Sequence, residues 1–444
     1  MSNSETFDLI LKGGTVATPS GIGEIDVGVR AGKIAAIADL DAAQADEVYD
    51  AKGLHVLPGV IDTQVHFREP GLEHKEDLES GGRAAVAGGV TAVFEMPNTN
   101  PSTTTVEALA DKVARGRNRM PCDFAFFAGA TAENVTELPK LERLEGVCGV
   151  KLFMGSSTGT LLVADDDTVR EVMRNGRRRM SIHAEDEDRL IEREPITRSG
   201  NVADHSNWRD VETAAKATRR VLKLAREVGR RVHVLHVTTA DEVPLLAAAK
   251  DVSTMEVTPQ HLTLSAPDCY ERLGSYAQMN PPIREAHHQA ALWQAVRDGV
   301  VDVIGSDHAP HTKEEKARDY PGSPSGMPGV QTLVPLMLTH VAEGRLTLER
   351  FVDLTAHGAN RIFGIAGKGR LAIGYDADFT VVDLKAKRTI TTDWIESRCG
   401  WTPFEGFEAK GWPMATIVRG HFAMRDGEIT DQAAGQPVRF QETI

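Results

Sequence analysis

The sequence predicts an α/β fold, a (β/α)8 TIM-like barrel joined to a small β-sandwich domain that is formed from both termini. Three observations support this prediction. Short apolar runs alternate with amphipathic stretches in the middle of the chain, both ends contain short strand patterns between glycines, and 444 residues exceed one small domain. A doubly wound open sheet is the alternative, but the glycine-rich phosphate turn that it requires after its first strand is missing.

The two ends of the chain are predicted to share the small β domain. In residues 1–56, the segments FDLILKGGTVAT, EIDVGVRAGKIAAIAD and EVYDAKGLHVLPG alternate apolar and polar residues. The same alternation of apolar and polar residues returns in residues 369–444, in GYDADFTVVDL and ATIVRGHFAMRDGEIT. We therefore expect the barrel to occupy residues 57–368, between the two halves of the β domain.

Eight apolar or β-branched runs mark the predicted barrel strands. In chain order they are HVLPGVIDTQVHF, VTAVFEMP, DFAFFAGA, CGVKLFMG, MSIHAE, RVHVLHVT, TMEVTP and VDVIGSDHA. Amphipathic stretches such as VETAAKATRRVLKLAREVG and HQAALWQAVRDG lie between them and predict helices. Eight strands that alternate with helices are what a closed barrel of this class requires.

Composition and charge narrow the function classes. The net charge is −14 with no long basic run, so nucleic acid is not an expected partner. The chain has neither a signal-peptide pattern nor a run of eighteen apolar residues, so we expect a cytoplasmic protein that does not enter membranes. The four cysteines form no C-x-x-C pair and predict neither a cysteine zinc site nor a disulfide framework.

Polar side chains follow the predicted strands at their carboxyl ends, where barrels of this class carry their chemistry. Those that can ligate a metal are His66, Lys151, His183, His236 and Asp307. A single strand-end histidine is more often a hydrogen-bonded core residue than a ligand. Lys151 is harder to explain structurally, because a lysine inside a barrel is costly unless it is paired or chemically changed. Together these residues predict a metal centre, and imidazole and carboxylate suit zinc.

The chemistry of these residue types favours catalysis. A lysine amine in a dry pocket has a depressed pKa and can react with carbon dioxide. The product is a carbamate, a bidentate anion able to bridge two metals, and a metal pair lowers the pKa of a bound water. Asp307 combines the roles of ligand and general base in this interpretation.

The chain resembles the amidohydrolase superfamily, and within it the dihydroorotases. The motifs that carry the resemblance run in order through nearly the whole chain: VIDTQVHFREPG, EMPNTNP, GVKLFMGSSTG, SIHAED, VLHVTTA, EVTPQHL, MNPPIR and VIGSDHAPH. The C-terminal GRLAIGYDADFTVVDL is similar to that superfamily's return to its small β domain. These motifs are specific for the superfamily and less decisive about the substrate.

The resemblance implies a role for each metal-site residue. Lys151 would be the carbamylated bridging ligand in a centre that holds one or two zinc ions per chain. His183 and His236 would hold the more exposed metal. His66 and Asp307 would hold the more buried one, and Asp307 would also be the catalytic proton shuttle.

The resemblance also implies a set of substrate-binding residues. They are Arg68, Asn98, Asn280, His311, Pro328 and Gly329. Arg68 and Asn98 would grip a substrate carboxylate, the arginine by a charge-assisted fork. The other four would lie around the pyrimidine ring and the carboxylate, Pro328 and Gly329 through their backbone. The segment GSSTGT at residues 155–160 is the predicted mobile loop over the substrate.

Gln64 departs from the family pattern, which has a histidine there as a second imidazole on the buried metal. A glutamine amide oxygen is a weaker, neutral ligand. Three interpretations follow: a buried metal of reduced affinity, an enzyme that works with one metal, or a catalytically impaired scaffold. Because the other predicted ligands and the substrate-side Arg68, Asn98 and Asn280 are present, we favour a tuned ligand shell.

The implied activity is that of a dihydroorotase. Such an enzyme hydrolyses the cyclic amide of dihydroorotate reversibly to N-carbamoyl-L-aspartate in pyrimidine biosynthesis. Arg68 and Asn98 at neighbouring strand ends suit the carboxylate of that substrate. The alternatives are allantoinase, hydantoinase or dihydropyrimidinase, or an impaired scaffold partner of a transcarbamoylase. The expected partners are the small-molecule substrate and a second copy of the chain in a homodimer.

Overall fold

The computed structural model describes residues 6–157, 161–430 and 434–441. The strands within these ranges form three sheets, and the sheet of eight strands is the barrel. Residues 158–160 of the predicted loop GSSTGT lie outside the described residues. Within the same ranges, no helix combines the length and the apolar sequence needed to cross a bilayer.

The N-terminal segment forms short strands before the barrel begins. They are β1 (Thr6–Lys12), β2 (Thr15–Thr18), β3 (Gly21–Glu24), β4 (Asp26–Arg30), β5 (Lys33–Ala38), β6 (Gln44–Asp50) and β7 (His55–Pro58). Four of them form a sheet in the order β5-β4-β1-β6. The alternation in β1 buries Leu9 and Leu11 opposite Val29 and Val27 of β4, which gives this sheet an apolar face.

The middle of the chain forms the eight-stranded parallel barrel. Its strands are β8 (Val60–Val65), β9 (Val90–Glu95), β10 (Asp123–Gly129), β11 (Val147–Phe153), β12 (Met180–His183), β13 (Val232–Val234), β14 (Ser253–Val257) and β15 (Val303–Ile304). They lie side by side in chain order. The last strand end meets the first, because Val65 pairs with His308 and the His66 amide donates to the His308 carbonyl at 2.7 Å. The predicted barrel is confirmed.

The first predicted run contains two strands rather than one. Its first part, β7, belongs to the small domain, and its second part, β8, opens the barrel. Gly59 separates them where the backbone passes Thr91, whose Oγ1 would lie 2.3 Å from a side-chain Cβ at that position. Glycine therefore allows the close approach at which the chain changes sheet.

The C-terminal segment returns to the small domain. Its strands are β16 (Phe379–Thr389), β17 (Glu408–Val418), β18 (His421–Arg425) and β19 (Glu428–Ile429). They join N-terminal strands in a sheet of order β19-β18-β17-β16-β7-β2-β3. Leu57 of β7 pairs with Thr380 of β16, so both termini contribute to one sheet as predicted. The limits at residues 56 and 368 stay a prediction.

Helices connect the barrel strands and cover the outside of the barrel. They are α1 (Leu78–Ala87), α2 (Val106–Gly116), α3 (Leu138–Leu141), α4 (Asp166–Arg174), α5 (Glu187–Arg193), α6 (His205–Trp208), α7 (Val211–Val228), α8 (Glu242–Ala247), α9 (Pro259–Thr263), α10 (Asp268–Leu273), α11 (Ala286–Arg297), α12 (Lys313–Lys316), α13 (Leu333–Ala342), α14 (Leu348–Val352) and α15 (Gly358–Phe363). Short 3-10 turns lie at Val135–Glu137, Glu194–Ser199, Val202–Asp204, Gly274–Ala277 and Thr392–Trp394, and a π turn at Asp353–His357. The longest helix, α7, begins where the Asp210 side chain accepts from the Thr213 amide and ends at Gly229, whose φ is 72°.

A buried ionic cluster joins the barrel to the small domain. Lys368 Nζ lies 3.0 Å from Asp376, 2.5 Å from Asp378 and against Asp123 of β10. Arg419 Nε donates to Asp123 at 3.0 Å. The three carboxylates converge closely enough to hold a cation, and the Lys368 ammonium is that cation.

Candidate active site

The carboxyl ends of the barrel strands meet at one cavity. Nine of the predicted site residues line it: Gln64, His66, Arg68, Asn98, Lys151, His183, His236, Asn280 and Asp307. Parallel strands end on the same face of the barrel, so residues far apart in the chain become neighbours there. The cavity wall also contains Ser157, from the predicted loop GSSTGT, and four residues that were not predicted from the sequence: Phe153, Ala309, Ser325 and Gly326.

One group of polar atoms lies between the ends of β8 and β15. His66 Nε2 is 3.2 Å from Asp307 Oδ1, and His66 Nδ1 is 2.8 Å from Asn98 Oδ1. Gln64 Nε2 donates a hydrogen bond of 3.1 Å to the same Asp307 oxygen. Asp307 has a φ of 45°, in the left-handed region where a non-glycine residue is strained by about 1–3 kcal/mol. Such strain concentrates at functional sites.

A second group lies between the ends of β12 and β13. His183 Nδ1 faces His236 Nε2 at 3.0 Å, with the two ring planes 80° apart. His236 also has a positive φ, of 37°. Burial lowers the pKa of both imidazoles, so both rings are neutral at pH 7 and able to ligate a metal.

Lys151 lies at the end of β11, between these two groups along the barrel. Its side chain is buried, and Nζ lies 4.4 Å from the centre of the Phe153 ring. Burial lowers the pKa of the Lys151 amine to about 7, against the opposite influence of Asp307 and Glu256. The amine is therefore partly neutral at pH 7, the state in which it can act as a nucleophile.

The donor atoms of the two groups fit a metal centre. Two ligands bound to one zinc ion at about 2.0–2.1 Å lie about 3.3 Å apart in tetrahedral geometry. The distances of 3.0 Å between His183 and His236 and 3.2 Å between His66 and Asp307 agree with that separation. His236 Nδ1 and Gln64 Oε1 are also buried without a hydrogen-bond partner among the described residues.

Arg68 closes one side of the cavity with a buried guanidinium. Nε donates to the Pro310 carbonyl at 3.1 Å, and Nη2 lies 3.3 Å from His311 Nε2. Nη1 is buried and has no hydrogen-bond partner among the described residues. Burial lowers the pKa of Arg68 to about 10, which still leaves the side chain charged at neutral pH.

The remaining predicted residues occupy different positions relative to the cavity. Asn280 lines it, donating from Nδ2 to Ser157 Oγ at 3.3 Å, and its Oδ1 lies 2.9 Å from His205 Nε2. His311 contacts the cavity-lining Arg68 through its Nε2 atom. The Gly329 amide donates to His308 Nδ1 at 3.1 Å. Residues 311, 328 and 329 are not among the described residues that line the cavity. Their binding roles stay predictions.

The sequence matches the amidohydrolase family over residues 55–423, well over half of the chain. The chain belongs to the amidohydrolase family. The resemblance predicted from the strand-end motifs is thereby confirmed, and the eight-stranded barrel is the fold on which this amidohydrolase carries its cavity.

Similar proteins have different names. This amidohydrolase is 37% identical over 438 residues to a dihydroorotase of Methanosarcina mazei, with 95% of both chains covered. It is 35% identical over 447 residues to an allantoinase of Deinococcus radiodurans, with 98% and 99% covered. The structure of an L-hydantoinase from Arthrobacter aurescens matches with a TM-score of 0.92 at 32% identity, covering 97% of this chain and 99% of that one. These names do not agree on one substrate, so the residues of the cavity have to discriminate between the candidates.

A carboxylate inside the barrel of this amidohydrolase was not predicted from the sequence. Glu256 of β14 accepts from Thr63 Oγ1 at 2.8 Å, and its other oxygen lies 3.4 Å from the His236 amide nitrogen. Burial raises the pKa of Glu256 to about 8. The available signal was a glutamate within the apolar run TMEVTP, because a carboxylate is rarely buried without a reason.

A buried charged pair behind His183 was not predicted from the sequence either. Glu185 Oε2 lies 2.8 Å from His183 Nε2 and accepts a hydrogen bond from Arg209 Nη1. Burial favours a raised pKa for Glu185, but Arg209 and His183 outweigh it and lower the pKa to about 2. The acid two residues after the histidine in SIHAED was a signal, whereas Arg209 had none.

Proposed function

We propose that this amidohydrolase cleaves a ring amide bond in a cyclic substrate that carries a carboxylate, namely dihydroorotate, and yields N-carbamoyl-L-aspartate. The observation that carries the proposal is Arg68, a cavity-lining guanidinium whose buried Nη1 has no hydrogen-bond partner among the described residues. A buried N–H without a partner is unfavourable, and a carboxylate satisfies a guanidinium with charge-assisted hydrogen bonds. The identity to a dihydroorotase supports the same substrate.

The orientation of Arg68 supports this role. Its contacts with the Pro310 carbonyl and with His311 hold the guanidinium in place, so little side-chain freedom is lost when a substrate binds. Asn98, at the end of the neighbouring strand, lines the same cavity and contacts His66. In this proposal both side chains orient the substrate carboxylate, and the ring amide is thereby directed at the two groups of candidate metal ligands.

We propose zinc as the metal, with one or two ions per chain, which a carbamate on Lys151 would help to hold. His183 and His236 are the proposed ligands of one ion, and His66 and Asp307 those of the other. When bound, zinc supplies an activated water and polarises a carbonyl oxygen. The separations of 3.0 Å and 3.2 Å within the two donor pairs support these assignments.

Asp307 is the proposed proton carrier. Its Oδ1 is held by the hydrogen bond from Gln64 and lies 3.2 Å from His66 Nε2, so the carboxylate has a defined orientation towards the cavity. In the hydrolytic direction it takes a proton from the attacking water and passes it to the ring nitrogen. The C–N bond breaks, a C–O bond forms and the nitrogen leaves as N–H. The same transfers in reverse close the ring.

A cyclic amide without a carboxylate is the second candidate substrate. The identity to an allantoinase and the fold similarity to an L-hydantoinase favour it. Such a ring would leave the Arg68 Nη1 group without a charged partner, and for that reason we place dihydroorotate first. An impaired scaffold that joins a transcarbamoylase is the non-enzymatic alternative. We also propose a homodimer, which light scattering would test.

The deciding experiment measures hydrolysis of dihydroorotate, allantoin and hydantoin by the purified chain, with zinc content determined on the same sample. Ultraviolet absorbance follows the loss of dihydroorotate. Preference for dihydroorotate supports the proposal, and preference for either other ring overturns the substrate assignment. If incubating the protein with zinc and bicarbonate produces neither bound metal nor activity, the scaffold alternative replaces the proposed enzymatic function.

A further inference from the structure

A chain of buried contacts runs from His183 away from the cavity. His183 Nε2 lies 2.8 Å from Glu185 Oε2, and the same oxygen accepts from Arg209 Nη1. Both the glutamate and the arginine are buried. Arg209 Nη2 continues the chain by donating to the Ser156 carbonyl at 2.5 Å. The far side of His183 is thus connected, through two charged side chains, to the backbone segment that follows β11.

The geometry around His183 determines which of its ring nitrogens is available. A carboxylate paired with an arginine accepts hydrogen bonds and does not donate them, so His183 Nε2 carries the proton that faces Glu185. Nδ1 then presents its lone pair on the opposite side of the ring, where His236 Nε2 lies 3.0 Å away. A histidine that ligates through one nitrogen is oriented by what its other nitrogen contacts.

We propose that Glu185 and Arg209 are positioning residues of the metal centre: Glu185 fixes the tautomer and ring orientation of His183, and Arg209 holds Glu185 while anchoring the cavity wall at Ser156. This inference rests on the proposed function, because it takes His183 as a ligand. Neither residue lines the cavity, so both act through His183 and the wall rather than on the substrate.

The packing around the pair supports a positioning role. Gly155 lies so close to Glu185 that a Cβ there would be 2.9 Å from the Glu185 Cβ and 2.7 Å from its carbonyl oxygen. Glu185 therefore has little room to move. Arg284 Nη1 donates to the Arg209 carbonyl at 3.0 Å, and the Arg209 guanidinium lies 4.7 Å from the centre of the Trp208 ring.

The Ser156 end of the chain reaches the cavity wall. Glu187 accepts from both the amide and the hydroxyl of Ser156 at 2.6 Å, so the segment is held from two sides. The next residue, Ser157, lines the cavity and accepts from Asn280 Nδ2 at 3.3 Å. One arginine thus connects a candidate metal ligand to a candidate substrate-binding wall.

The test uses two variants and a matched control. Glu185→Gln keeps the shape but removes the charge that sets the tautomer. The double variant Glu185→Gln with Arg209→Met removes both charges, so that no buried arginine is left unpaired if the single variant does not fold. The control is Glu142→Gln with Arg230→Met. It removes a comparable buried pair, 3.1 Å apart, and neither of its members is among the described residues that line the cavity.

The measurements are the zinc dissociation constant, by competition with a chelator, and the absorption spectrum of the cobalt-loaded protein. We expect both Glu185 variants to bind zinc about 10- to 100-fold more weakly and to change the cobalt spectrum. The control should keep the wild-type values even where its thermal stability falls. Wild-type zinc affinity and cobalt spectrum in a folded Glu185 variant would overturn the proposal, as would an equal loss of affinity in the control.

The same samples separate this proposal from the proposed function. A wild-type protein that binds zinc, with weakened variants, but hydrolyses no cyclic amide refutes the activity and leaves the positioning role standing. If the wild-type protein hydrolyses a cyclic amide and the variants bind zinc as tightly as it does, the activity stands and the positioning role is refuted. A wild-type protein that binds neither zinc nor cobalt removes the metal centre and overturns both.

Discussion

The side-chain amide of Gln64 donates a hydrogen bond of 3.1 Å to Asp307 Oδ1, the oxygen that also lies 3.2 Å from His66 Nε2. Gln64 thus occupies a position from which an imidazole could ligate, but its N–H side faces the carboxylate. Its Oε1 has no hydrogen-bond partner among the described residues. The Gln64 N–H group orients the Asp307 carboxylate by donating to it. The Gln64 amide oxygen offers a metal only a weak, neutral ligand.

We expect Gln64→His to raise the zinc content of the chain. The added imidazole is a stronger zinc ligand than an amide oxygen and would complete the group of His66 and Asp307. Metal analysis of protein dialysed against limiting zinc measures the change, and Gln64→Asn is the control because it keeps the amide. An unchanged metal content in Gln64→His would contradict the idea that residue 64 limits the buried position.

Asp307→Asn should lower kcat by about 10²- to 10⁴-fold, because the amide cannot carry the proton. Zinc bound by His183 and His236 should remain. Steady-state kinetics and metal analysis on the same sample check both expectations. Asp302→Asn is the matched control, since Asp302 pairs with Lys250 away from the cavity. Near-normal turnover in Asp307→Asn with zinc bound would rule out the proton role.

Arg68→Met should lower kcat/KM for dihydroorotate by about 10- to 150-fold, the loss expected for about 1.5–3 kcal/mol of charged hydrogen bonding. Hydantoin carries no carboxylate, so the ratio of the two activities in the same variant controls for any general disturbance of the site. The kcat/KM of Arg68→Lys should lie between those of the wild type and Arg68→Met, because lysine keeps the positive charge but cannot form the paired hydrogen bonds of a guanidinium. Equal losses on both rings would show that Arg68 does not recognise the carboxylate.

His340 should make the folded state more sensitive to acid. Burial lowers the pKa of His340 to about 4, against 6.5 when unfolded, so between those values the unfolded chain binds a proton that the folded chain does not. Its contribution therefore weakens the fold as pH falls below 6.5, by about 2 kcal/mol at pH 5.

Urea unfolding of wild type and His340→Gln at pH 7.5 and pH 5 measures this difference. Glutamine does not titrate and is able to keep a hydrogen bond to Thr263 Oγ1, which lies 2.9 Å from His340 Nε2. The variant should lose less stability than the wild type over this range. A parallel loss in the two proteins would show that His340 keeps an ordinary pKa in the folded state.

The positions of most candidate ligands were predictable because the end of each barrel strand can be recognised from the local sequence. Strands buried on both faces are apolar, so polar residues such as His183 and His236 stand out at their ends. The residues of the wall were not predictable in the same way. Ser325 and Gly326 line the cavity where the neighbouring Pro328 and Gly329 were expected, because a loop's register depends on long-range contacts.

The sequence by itself determined the barrel, the return of the C-terminus to the N-terminal sheet, and the residue types at the strand ends. Apolar periodicity and strand-end chemistry are local properties that an unfolded chain already displays. Only the tertiary structure decided that Gln64 would turn its N–H towards Asp307 and that Glu185 and Arg209 would meet behind His183. The first contact joins the ends of the first and last barrel strands, and the second joins two residues of the connection between β12 and β13. Each depends on how the chain folds back on itself, because a buried polar or charged group needs a partner that local sequence does not specify.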